Sequence, residues 1–509
     1  MSIARLIFLF TAFSLFYIPV KGQISYGGKP IDVLKYSLSE VPVIVPDCRE
    51  EQKPMQPDSG PRFKVIDDAL ICDIYKDLTE IAKQTLLEDG TKVWRLGISS
   101  KGANSLSLVF SKYHVSKGVR IFVYDENQKE VFGSFTHFNN KTFGKMAIQP
   151  VHSSLLYVEM QVLPFVKHPG EIEIGYVAKT GNQKHSDNTL KDKYFGISGF
   201  CNVDINCINN QIIQQQKHGV VRIVYDGKER CTGTLINNTR ENAHPYLLTA
   251  NHCIPSQYYA NTGIFFFNYE SPECGGGDGG TSLSISGAKL IATSPCIGRI
   301  CNLDFSLLEL SENVPFYYHP YFTGWDNRDN EPMNAYTIHH PQGDVKKISF
   351  ENDKVITGDY GNGFDANTFW HVAHWETGTT EEGSSGAGLF NENNLLVGTL
   401  TGGLADCNQS VNDYFQKFHN CWDDYPYYGH QLKFWLDPNE TNHEFIEGYD
   451  PYFYFWKSGD TLSNIDVNQD VGLFYTSSGI ASGHNADFVT RFAERFSLGR
   501  RKKSYCIVC

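Results

Sequence analysis

Apolar and polar residues alternate, or form short apolar runs, over four segments between about residues 92 and 180. These segments are 94–99 (WRLGIS), 105–110 (SLSLVF), 119–124 (VRIFVY) and 155–162 (LLYVEMQV). Turn-forming residues separate them at 101–102, 125–127 and 139–141. A period of two is typical of strands with one buried face. The pattern therefore predicts a small antiparallel β-sandwich.

The rest of the chain divides by composition. Residues 23–90 are mixed and rich in proline, and residues 181–193 are polar, which predicts an exposed linker open to proteolysis. Residues 196–450 are again strand-rich, with frequent glycine turns. Residues 451–509 form a C-terminal extension of unknown role, with an aromatic cluster at 451–456, a possible helix near 486–496 and a basic run at 500–503. We expect an all-β protein of at least two folded units.

The first 22 residues predict a cleaved signal peptide. Arg5 precedes an apolar run from residue 6 to residue 20, which ends before the polar Gln23. The alternative is an uncleaved membrane anchor, but a spanning helix needs roughly 20 apolar residues. We therefore expect a secreted or periplasmic protein with no membrane contact after the signal is removed.

Composition excludes some classes of function. The net charge is −13, and there is no basic stripe of the kind that binds nucleic acid. Thirteen cysteines in an exported chain indicate disulfides. The only C-x-x-C pair, Cys506 and Cys509, lies at the terminus, so no metal site and no cofactor is expected.

Three segments carry candidate chemistry. Residues 247–253 (LLTANHC) bring His252 to the end of a predicted strand beside Cys253. Residues 303–310 (LDFSLLEL) place Asp304 in apolar surroundings, where a carboxylate needs a partner such as a histidine N–H. Taken singly, each segment also fits a structural role.

The third segment, residues 381–390 (EEGSSGAGLF), surrounds Ser385 with small residues. Glycine permits tight turns and lets a substrate approach the backbone closely. The amides of Gly383 and Ser385 are the candidate oxyanion hole. The three segments give the order His, Asp, Ser, which is that of chymotrypsin and differs from that of subtilisin and the α/β-hydrolases. We predict a His252–Asp304–Ser385 catalytic triad.

Residues 196–449 resemble the bacterial lysyl endopeptidases. The segments that carry the resemblance are 196–207, 231–239, 248–253, 304–310, 324–329, 338–341, 383–386, 435–438 and 445–450. The resemblance implies a chymotrypsin-like double β-barrel protease domain at residues 196–450, preceded by a propeptide of residues 23–195 that holds the sandwich and the linker. It also implies the disulfides Cys201–Cys407, Cys207–Cys274 and Cys231–Cys253.

The resemblance leaves Cys296 and Cys301 as a plausible local pair. Cys48, Cys72, Cys421 and the two terminal cysteines stay unassigned.

Substrate preference follows from the resemblance and from two departures. Trypsin-like enzymes carry a pocket aspartate six residues before the serine, where this chain has Thr379. Lysyl endopeptidases use a downstream aspartate, for which Asp413 is the candidate. The family's pocket histidine is replaced by Thr401, and Tyr360 is a loose match for its tryptophan. Cleavage after basic residues is expected, and lysine over arginine stays open.

Activation is expected to differ from that of trypsinogen. The residue before the serine is Ser384, which offers no charge to a new N-terminus. Removal of the propeptide in the linker is expected instead, with Lys191 and Lys193 as natural points of self-cleavage.

We therefore expect a monomeric serine endopeptidase acting on proteins or peptides. The alternatives are an inactive protease fold used for binding or adhesion, and an endopeptidase of non-basic specificity.

Overall fold

The computed structural model describes residues 23–49, 62–64, 66–67, 69–180, 195–225, 229–297, 300–361 and 363–452, together with short strands at 473–476, 479–482, 496–497 and 504–505. The predicted signal peptide, the linker at 181–193, the possible helix near 486–496 except for Phe496, and the basic run at 500–503 lie outside these residues. Among the residues described, no helix is both long and apolar enough to cross a bilayer.

The first folded unit is a β-sandwich, as the alternating pattern predicts. Its 6-stranded sheet contains Val43–Ile44, Lys83–Leu86, Lys92–Ser99, Val119–Asp125, Val131–Phe135 and Leu155–Val162. Its 5-stranded sheet contains Cys48–Arg49, Ala69–Asp77, Ser105–Val115, Met146–Ala147 and Gly170–Thr180. The inward residues of both sheets form one apolar core, in which Leu96, Phe110 and Val158 are fully buried. Four of these strands lie before residue 92, where the sequence pattern predicted none.

The second unit begins with an 8-stranded antiparallel sheet. Its strands are Ile66–Asp67, Val220–Tyr225, Glu229–Leu235, Tyr246–Thr249, Ile264–Phe267, Ser284–Ser286, Ala288–Thr293 and Ser306–Leu310. The strand Val220–Tyr225 is buried at every position because the sheet curls around its own apolar interior. Ile66–Asp67 lies in the chain between the sandwich strands Cys48–Arg49 and Ala69–Asp77, and it pairs with Glu229 and Arg230.

An 11-stranded sheet forms the other half of this unit. Its strands are Arg62–Phe63, Val203–Asp204, Trp325–Asp326, Ala335–His339, Lys347–Glu351, Ile356–Gly358, Phe369–His374, Gly388–Asn391, Leu396–Gly403, Val411–Lys417 and Phe445–Ile446. A shared apolar cluster joins this sheet to the previous one, with Leu248 and Leu307 on one side and Trp325 and Ile338 on the other. This arrangement confirms the all-β double-barrel class.

Helices are short and peripheral. The α-helices are Leu78–Ile81, Gln211–Gln216, Gln257–Thr262, Phe418–Asp423 and Lys433–Leu436. The 3₁₀ helices are His137–Asn139, Ile205–Cys207, Lys217–Gly219, Phe316–Tyr318, Pro341–Gly343 and Tyr428–His430. None of the described α-helices exceeds 6 residues.

The sandwich packs directly against the first barrel sheet. One apolar cluster takes members from both units, including Val109 and Tyr176 of the sandwich and Val224 and Phe266 of the barrel. Contiguous apolar burial of this kind stabilises the association of the two units.

Five disulfides link the described residues. The pairs are Cys48–Cys72, Cys201–Cys407, Cys207–Cys274, Cys231–Cys253 and Cys296–Cys301. The three pairs that the resemblance implied are thus formed, together with the local pair. Cys421 is buried as a free thiol.

Candidate active site

His252 follows the strand Tyr246–Thr249 and is fixed from two sides. The adjacent Cys253 is tied by its disulfide to Cys231, in the neighbouring strand. The backbone N–H of His252 donates to Asp304 Oδ1 at 3.0 Å, and its Nδ1 lies 2.8 Å from Asp304 Oδ2. Both contacts orient the imidazole, so that Nε2 points away from the carboxylate.

Asp304 is a buried carboxylate with the partner that the sequence pattern required. It is 1% exposed, and its own N–H donates to Gln416 Oε1 at 2.9 Å. Burial alone would raise the pKa of Asp304, but the charge and hydrogen bonds of His252 hold this pKa below its ordinary value. Asp304 therefore stays ionised beside the imidazole at neutral pH.

Ser385 lies in a tight turn that two glycines make possible. Gly383 has φ +94° and Gly386 has φ +82°, conformations that residues with a Cβ rarely adopt. A Cβ on Gly386 would also lie 2.4 Å from the carbonyl oxygen of Thr232. The turn is held against the first barrel because Thr232 N–H donates to the Ser385 carbonyl at 2.8 Å.

The turn brings Ser385 Oγ to 2.8 Å from His252 Nε2. The structure thus brings together all three residues that sequence reasoning selected, across a separation of 133 residues between serine and histidine. In this arrangement, Nε2 is able to take a proton from Ser385 while Asp304 stabilises the resulting imidazolium. The hydroxyl oxygen then becomes a nucleophile for an electrophilic carbon placed next to it.

A second histidine supports the turn from behind. His339 Nδ1 lies 2.8 Å from Ser384 Oγ, which also accepts from Glu381 N–H at 3.2 Å. Burial lowers the pKa of His339 to about 3, so the ring is neutral at physiological pH. Ser384 therefore has a neutral histidine as its hydrogen-bond partner, whereas an aspartate at this position would pair with a charged group.

A segment that lies in the chain between the sandwich strands Cys48–Arg49 and Ala69–Asp77 reaches this site. We call the described residues 62–64 and 66–67 the pro-strand. Arg62 and Phe63 pair antiparallel with Gly403 and Gly402, at the edge of the second barrel. Further along, the pro-strand pairs with Glu229 and Arg230 of the first barrel. The pro-strand thus pairs with the second barrel on one side of Lys64 and with the first barrel on the other side.

The backbone of Lys64 contacts the turn that contains Ser385. Lys64 lies in the middle of the pro-strand. Its carbonyl oxygen accepts a hydrogen bond from Gly383 N–H at 2.5 Å. Its N–H donates to Ser385 Oγ at 3.0 Å. Gly383, one of the two expected oxyanion donors, is therefore directed at a peptide carbonyl beside the serine hydroxyl.

The Lys64 side chain fills a buried pocket. Its Nζ lies 3.0 Å from Asp413 Oδ1, as an ion pair, and the side chains of both residues are 5% exposed or less. Nζ also donates to the carbonyl oxygens of Thr380 at 2.8 Å and Ala405 at 2.6 Å, and to Thr380 Oγ1 at 2.7 Å. Each of the three ammonium protons thus has an acceptor, which a buried charge requires.

Asp413 lies at the base of this pocket, where the resemblance implied. Its other oxygen, Oδ2, accepts from Trp375 Nε1 at 2.8 Å and from Thr380 Oγ1 at 2.6 Å. These two donors fix the carboxylate with Oδ1 facing the lysine. The pocket therefore holds the Lys64 ammonium both by charge and by the spacing of its acceptors.

The other two candidate pocket residues lie nearer to the triad. Thr401 is fully buried and helps to lower the pKa of Asp304. Tyr360 is buried, and its ring lies 5.9 Å from that of Phe63, which in turn stacks on His252 at 4.4 Å. Tyr360 thus packs beside the residue that precedes the lysine.

Sequence reasoning did not identify four residues of this site: Lys64, Trp375, Thr380 and His339. No local pattern separates Lys64 from the other lysines of the chain. Thr380 is near Ser385 in sequence, but only the register of the strand Val411–Lys417 shows that it faces Asp413.

Metal-ligand spacing occurs elsewhere in the described residues, in one acidic group formed by Glu351, Asp353 and Glu376. None of the residues around Ser385 belongs to this group.

Comparisons with known proteins find similarity over part of the chain. Residues 195–416 match the family model described as lysyl endopeptidase, C-terminal domain. A lysyl endopeptidase of Pseudomonas aeruginosa is 29% identical over 288 residues, which cover 53% of this chain and 60% of that protein. The chain thus matches about three fifths of the length of that relative.

Two solved structures are also similar to this chain. One is a Glu endopeptidase in complex with MPD, at 16% identity, with 44% of this chain and 93% of that chain covered and a TM-score of 0.29. The other is a thermostable serine protease, AL20, from an extremophilic microorganism, at 10% identity, with 40% and 92% covered and a TM-score of 0.30.

Proposed function

The chain is lysyl endopeptidase-like over residues 195–416, and we propose that it is the precursor of an exported serine endopeptidase that cleaves proteins after lysine. The observation that carries this proposal is Lys64, which meets the reactive turn with its backbone and Asp413 with its ammonium. A substrate lysine in the same position would present its carbonyl carbon to Ser385.

In the proposed mechanism, Ser385 Oγ attacks the carbonyl carbon of the residue held in the pocket. His252 takes the serine proton and then donates it to the leaving amine. Asp304 holds the imidazole in the tautomer with Nδ1 protonated and stabilises its charged form. The amides of Gly383 and Ser385 stabilise the negative oxygen, at roughly 3–4 kcal/mol per donor. Water then hydrolyses the acyl-enzyme by the same proton transfers.

The acceptors around the Lys64 ammonium support a preference for lysine over arginine. Asp413, Thr380 and the carbonyl of Ala405 surround a single nitrogen. The guanidinium of arginine is longer, planar and carries five N–H donors in a fork. It would have to displace these acceptors, and some of its donors would be left unsatisfied in a buried pocket.

Export and maturation belong to the same proposal. The five disulfides among the described residues fit an oxidising compartment outside the cytosol. We propose that residues 1–22 are the signal peptide, 23–195 the propeptide, 196–450 the protease domain and 451–509 an extension.

A panel of chromogenic peptides ending in Lys, Arg or Glu tests the proposal directly. We expect hydrolysis of the lysine peptide, slower hydrolysis of the arginine peptide and none of the glutamate peptide. Loss of all hydrolysis in Ser385→Ala assigns the activity to this site. A purified mature protein, with residues 23–195 removed, that neither hydrolyses the panel nor reacts with a serine-directed phosphonate would instead be a protease fold used for binding.

A further inference from the structure

The pro-strand lies in the candidate active site as a substrate would. We propose that the peptide bond between Lys64 and Val65 is a site of self-cleavage, and that the pro-strand is an intramolecular substrate of the protease domain. This inference rests on the proposed function. It names a specific cleavage site within the propeptide, far in sequence from the linker lysines Lys191 and Lys193.

The backbone pairing on both sides of Lys64 supports this assignment. Upstream, Arg62 and Phe63 extend the second barrel sheet at Gly403 and Gly402. A Cβ on Gly402 would lie 2.0 Å from the Arg62 carbonyl oxygen, so this glycine is needed for the approach of the pro-strand. Addition of a strand to an exposed sheet edge is a general mode of peptide recognition.

Downstream, the pro-strand leaves the cleft on the other barrel. Ile66 and Asp67 pair antiparallel with Arg230 and Glu229. The chain is therefore anchored on one barrel before Lys64 and on the other barrel after it. Anchors on both sides hold the Lys64 carbonyl group beside Ser385.

The atoms around Lys64 are arranged for reaction. Gly383 N–H holds the Lys64 carbonyl oxygen at 2.5 Å, and Ser385 Oγ lies 3.0 Å from Lys64 N, which is two bonds from the carbonyl carbon. Ser385 Oγ also lies 2.8 Å from His252 Nε2. Nucleophile, base and oxyanion donor thus meet at one peptide carbonyl.

The side chains flanking this carbonyl hold it in place. The Lys64 ammonium is bound by Asp413, Thr380 and Ala405, and the Phe63 ring stacks on His252 with ring centroids 4.4 Å apart. Two side chains of the pro-strand therefore occupy the surfaces that a bound substrate would need. While the pro-strand is present, external peptides are excluded.

The proposed step consumes one water and no other reactant. Ser385 Oγ bonds to the Lys64 carbonyl carbon as its proton passes to His252 Nε2. The bond from that carbon to the Val65 nitrogen breaks, and His252 donates its proton to the departing amine. Water, deprotonated by His252, then attacks the ester, which leaves a Lys64 carboxylate and restores the Ser385 hydroxyl.

The disulfide Cys48–Cys72 gives the cleaved chain a distinctive chemical signature. Lys64 lies within the loop that this disulfide closes, since the two cysteines are separated by 24 residues. Cleavage at Lys64 therefore leaves both products covalently joined. The tether keeps the new carboxyl terminus at a high effective concentration near the pocket, so it continues to compete with external substrate.

The experiment measures the mass of the full chain, from residue 23, before and after chemical reduction of acid-quenched samples. Four proteins are compared: wild type, Ser385→Ala, Lys64→Gln and the matched control Lys76→Gln, which changes an exposed lysine of the strand Ala69–Asp77. In wild type and control, we expect a fragment that ends at Lys64 and is released only by reduction. We expect this fragment to be absent from Ser385→Ala and Lys64→Gln.

A second measurement follows occupation of the cleft. The rate at which a serine-directed phosphonate labels Ser385 should rise by about tenfold or more in Lys64→Gln relative to Lys76→Gln, because the buried ion pair with Asp413 is lost. Equal labelling rates would contradict occupation by the pro-strand. The wild-type fragment requires no variant, so the inference is testable even where Lys64→Gln fails to fold.

The outcomes separate the inference from the proposed function. A wild-type chain that hydrolyses lysine peptides but stays intact at Lys64 overturns the inference and leaves the function standing. A chain without activity and without the fragment contradicts both. Appearance of the fragment in Ser385→Ala would show that another protease makes it, and self-cleavage would be rejected.

Discussion

Replacement of Asp413 with asparagine tests the proposed role of this carboxylate in substrate selection. In the structure, Oδ2 accepts from Trp375 Nε1 and Thr380 Oγ1, while Oδ1 faces a lysine ammonium at 3.0 Å. An asparagine that keeps its oxygen toward those two donors must turn its NH₂ group toward the ammonium. Donor then faces donor, and a buried cation loses its counter-charge.

The magnitude follows from the burial of both groups. The Asp413 side chain is 0% exposed and that of Lys64 is 5% exposed, so solvent does not replace the lost carboxylate. Removal of one partner of a buried ion pair costs about 3–5 kcal/mol. Each 1.4 kcal/mol is a factor of ten in rate, so kcat/KM for lysine peptides should fall by about 10² to 10⁴.

The assay compares two reactions of the same mature enzyme. One is hydrolysis of a lysine chromogenic peptide, and the other is labelling of Ser385 by a phosphonate with a neutral side chain. Asp413→Asn should reduce hydrolysis by the factor above and change neutral labelling by less than about threefold, since the triad is untouched. The matched control is Asp353→Asn, an exposed aspartate, which should change neither rate.

Equal losses in both reactions would refute the role of Asp413 in substrate selection. They would show instead that its carboxylate supports the fold of the Ser385 turn.

Three further predictions concern Gly383 in the Ser385 turn, His339 behind that turn, and the disulfide Cys231–Cys253 beside His252. Gly383→Ala should lower kcat by about 10²-fold or more with little change in KM, as measured by steady-state kinetics on the lysine peptide. The reason is that a Cβ at position 383 would lie 2.7 Å from the His340 carbonyl oxygen and would displace the oxyanion donor. His339 has a pKa of about 3 in the folded protein against 6.5 in the unfolded chain, so it contributes stability above pH 6.5 that is lost as the pH falls toward 3. His339→Gln removes this contribution. In a Ser385→Ala background, its free energy of unfolding in urea should therefore depend on pH less steeply, by up to about 1.4 kcal/mol per pH unit between pH 4 and 6. An unchanged slope would contradict the burial of a neutral ring. Serine in place of both Cys231 and Cys253, whose disulfide spans 22 residues, should reduce the free energy of unfolding by about 3 kcal/mol in the same assay.

The sequence was informative where one residue type is required in one local setting. The glycines around Ser385 are needed for φ values above +80°, and the apolar segment that contains Asp304 demands a partner for its carboxylate. Both constraints depend on neighbouring residues only, so a single sequence is enough to recognise them. Asp413 was found through the family resemblance, because the residues that make it a pocket base come from two other segments.

The sequence did not predict features that depend on the register of strands far apart in the chain. Lys64 reaches Asp413 across 349 positions only because Arg62 and Phe63 pair with Gly403 and Gly402. Nothing in the residues around Lys64 specifies that pairing. The same holds for Cys48 and Cys72, which become partners because their two strands place them opposite each other. Strands before residue 92 were missed since their apolar pattern is short or interrupted by charge, as in Ala69–Asp77.

The central claim is that Ser385 is a nucleophile activated by His252 within a pocket that selects lysine. Its most direct test is peptide mapping by mass spectrometry after reaction with a phosphonate that carries a lysine-like side chain. We predict a single adduct on Ser385, prevented by His252→Ala and competed by free lysine peptides. An adduct on any other residue, or none on an enzyme that still hydrolyses the lysine peptide, would contradict the account.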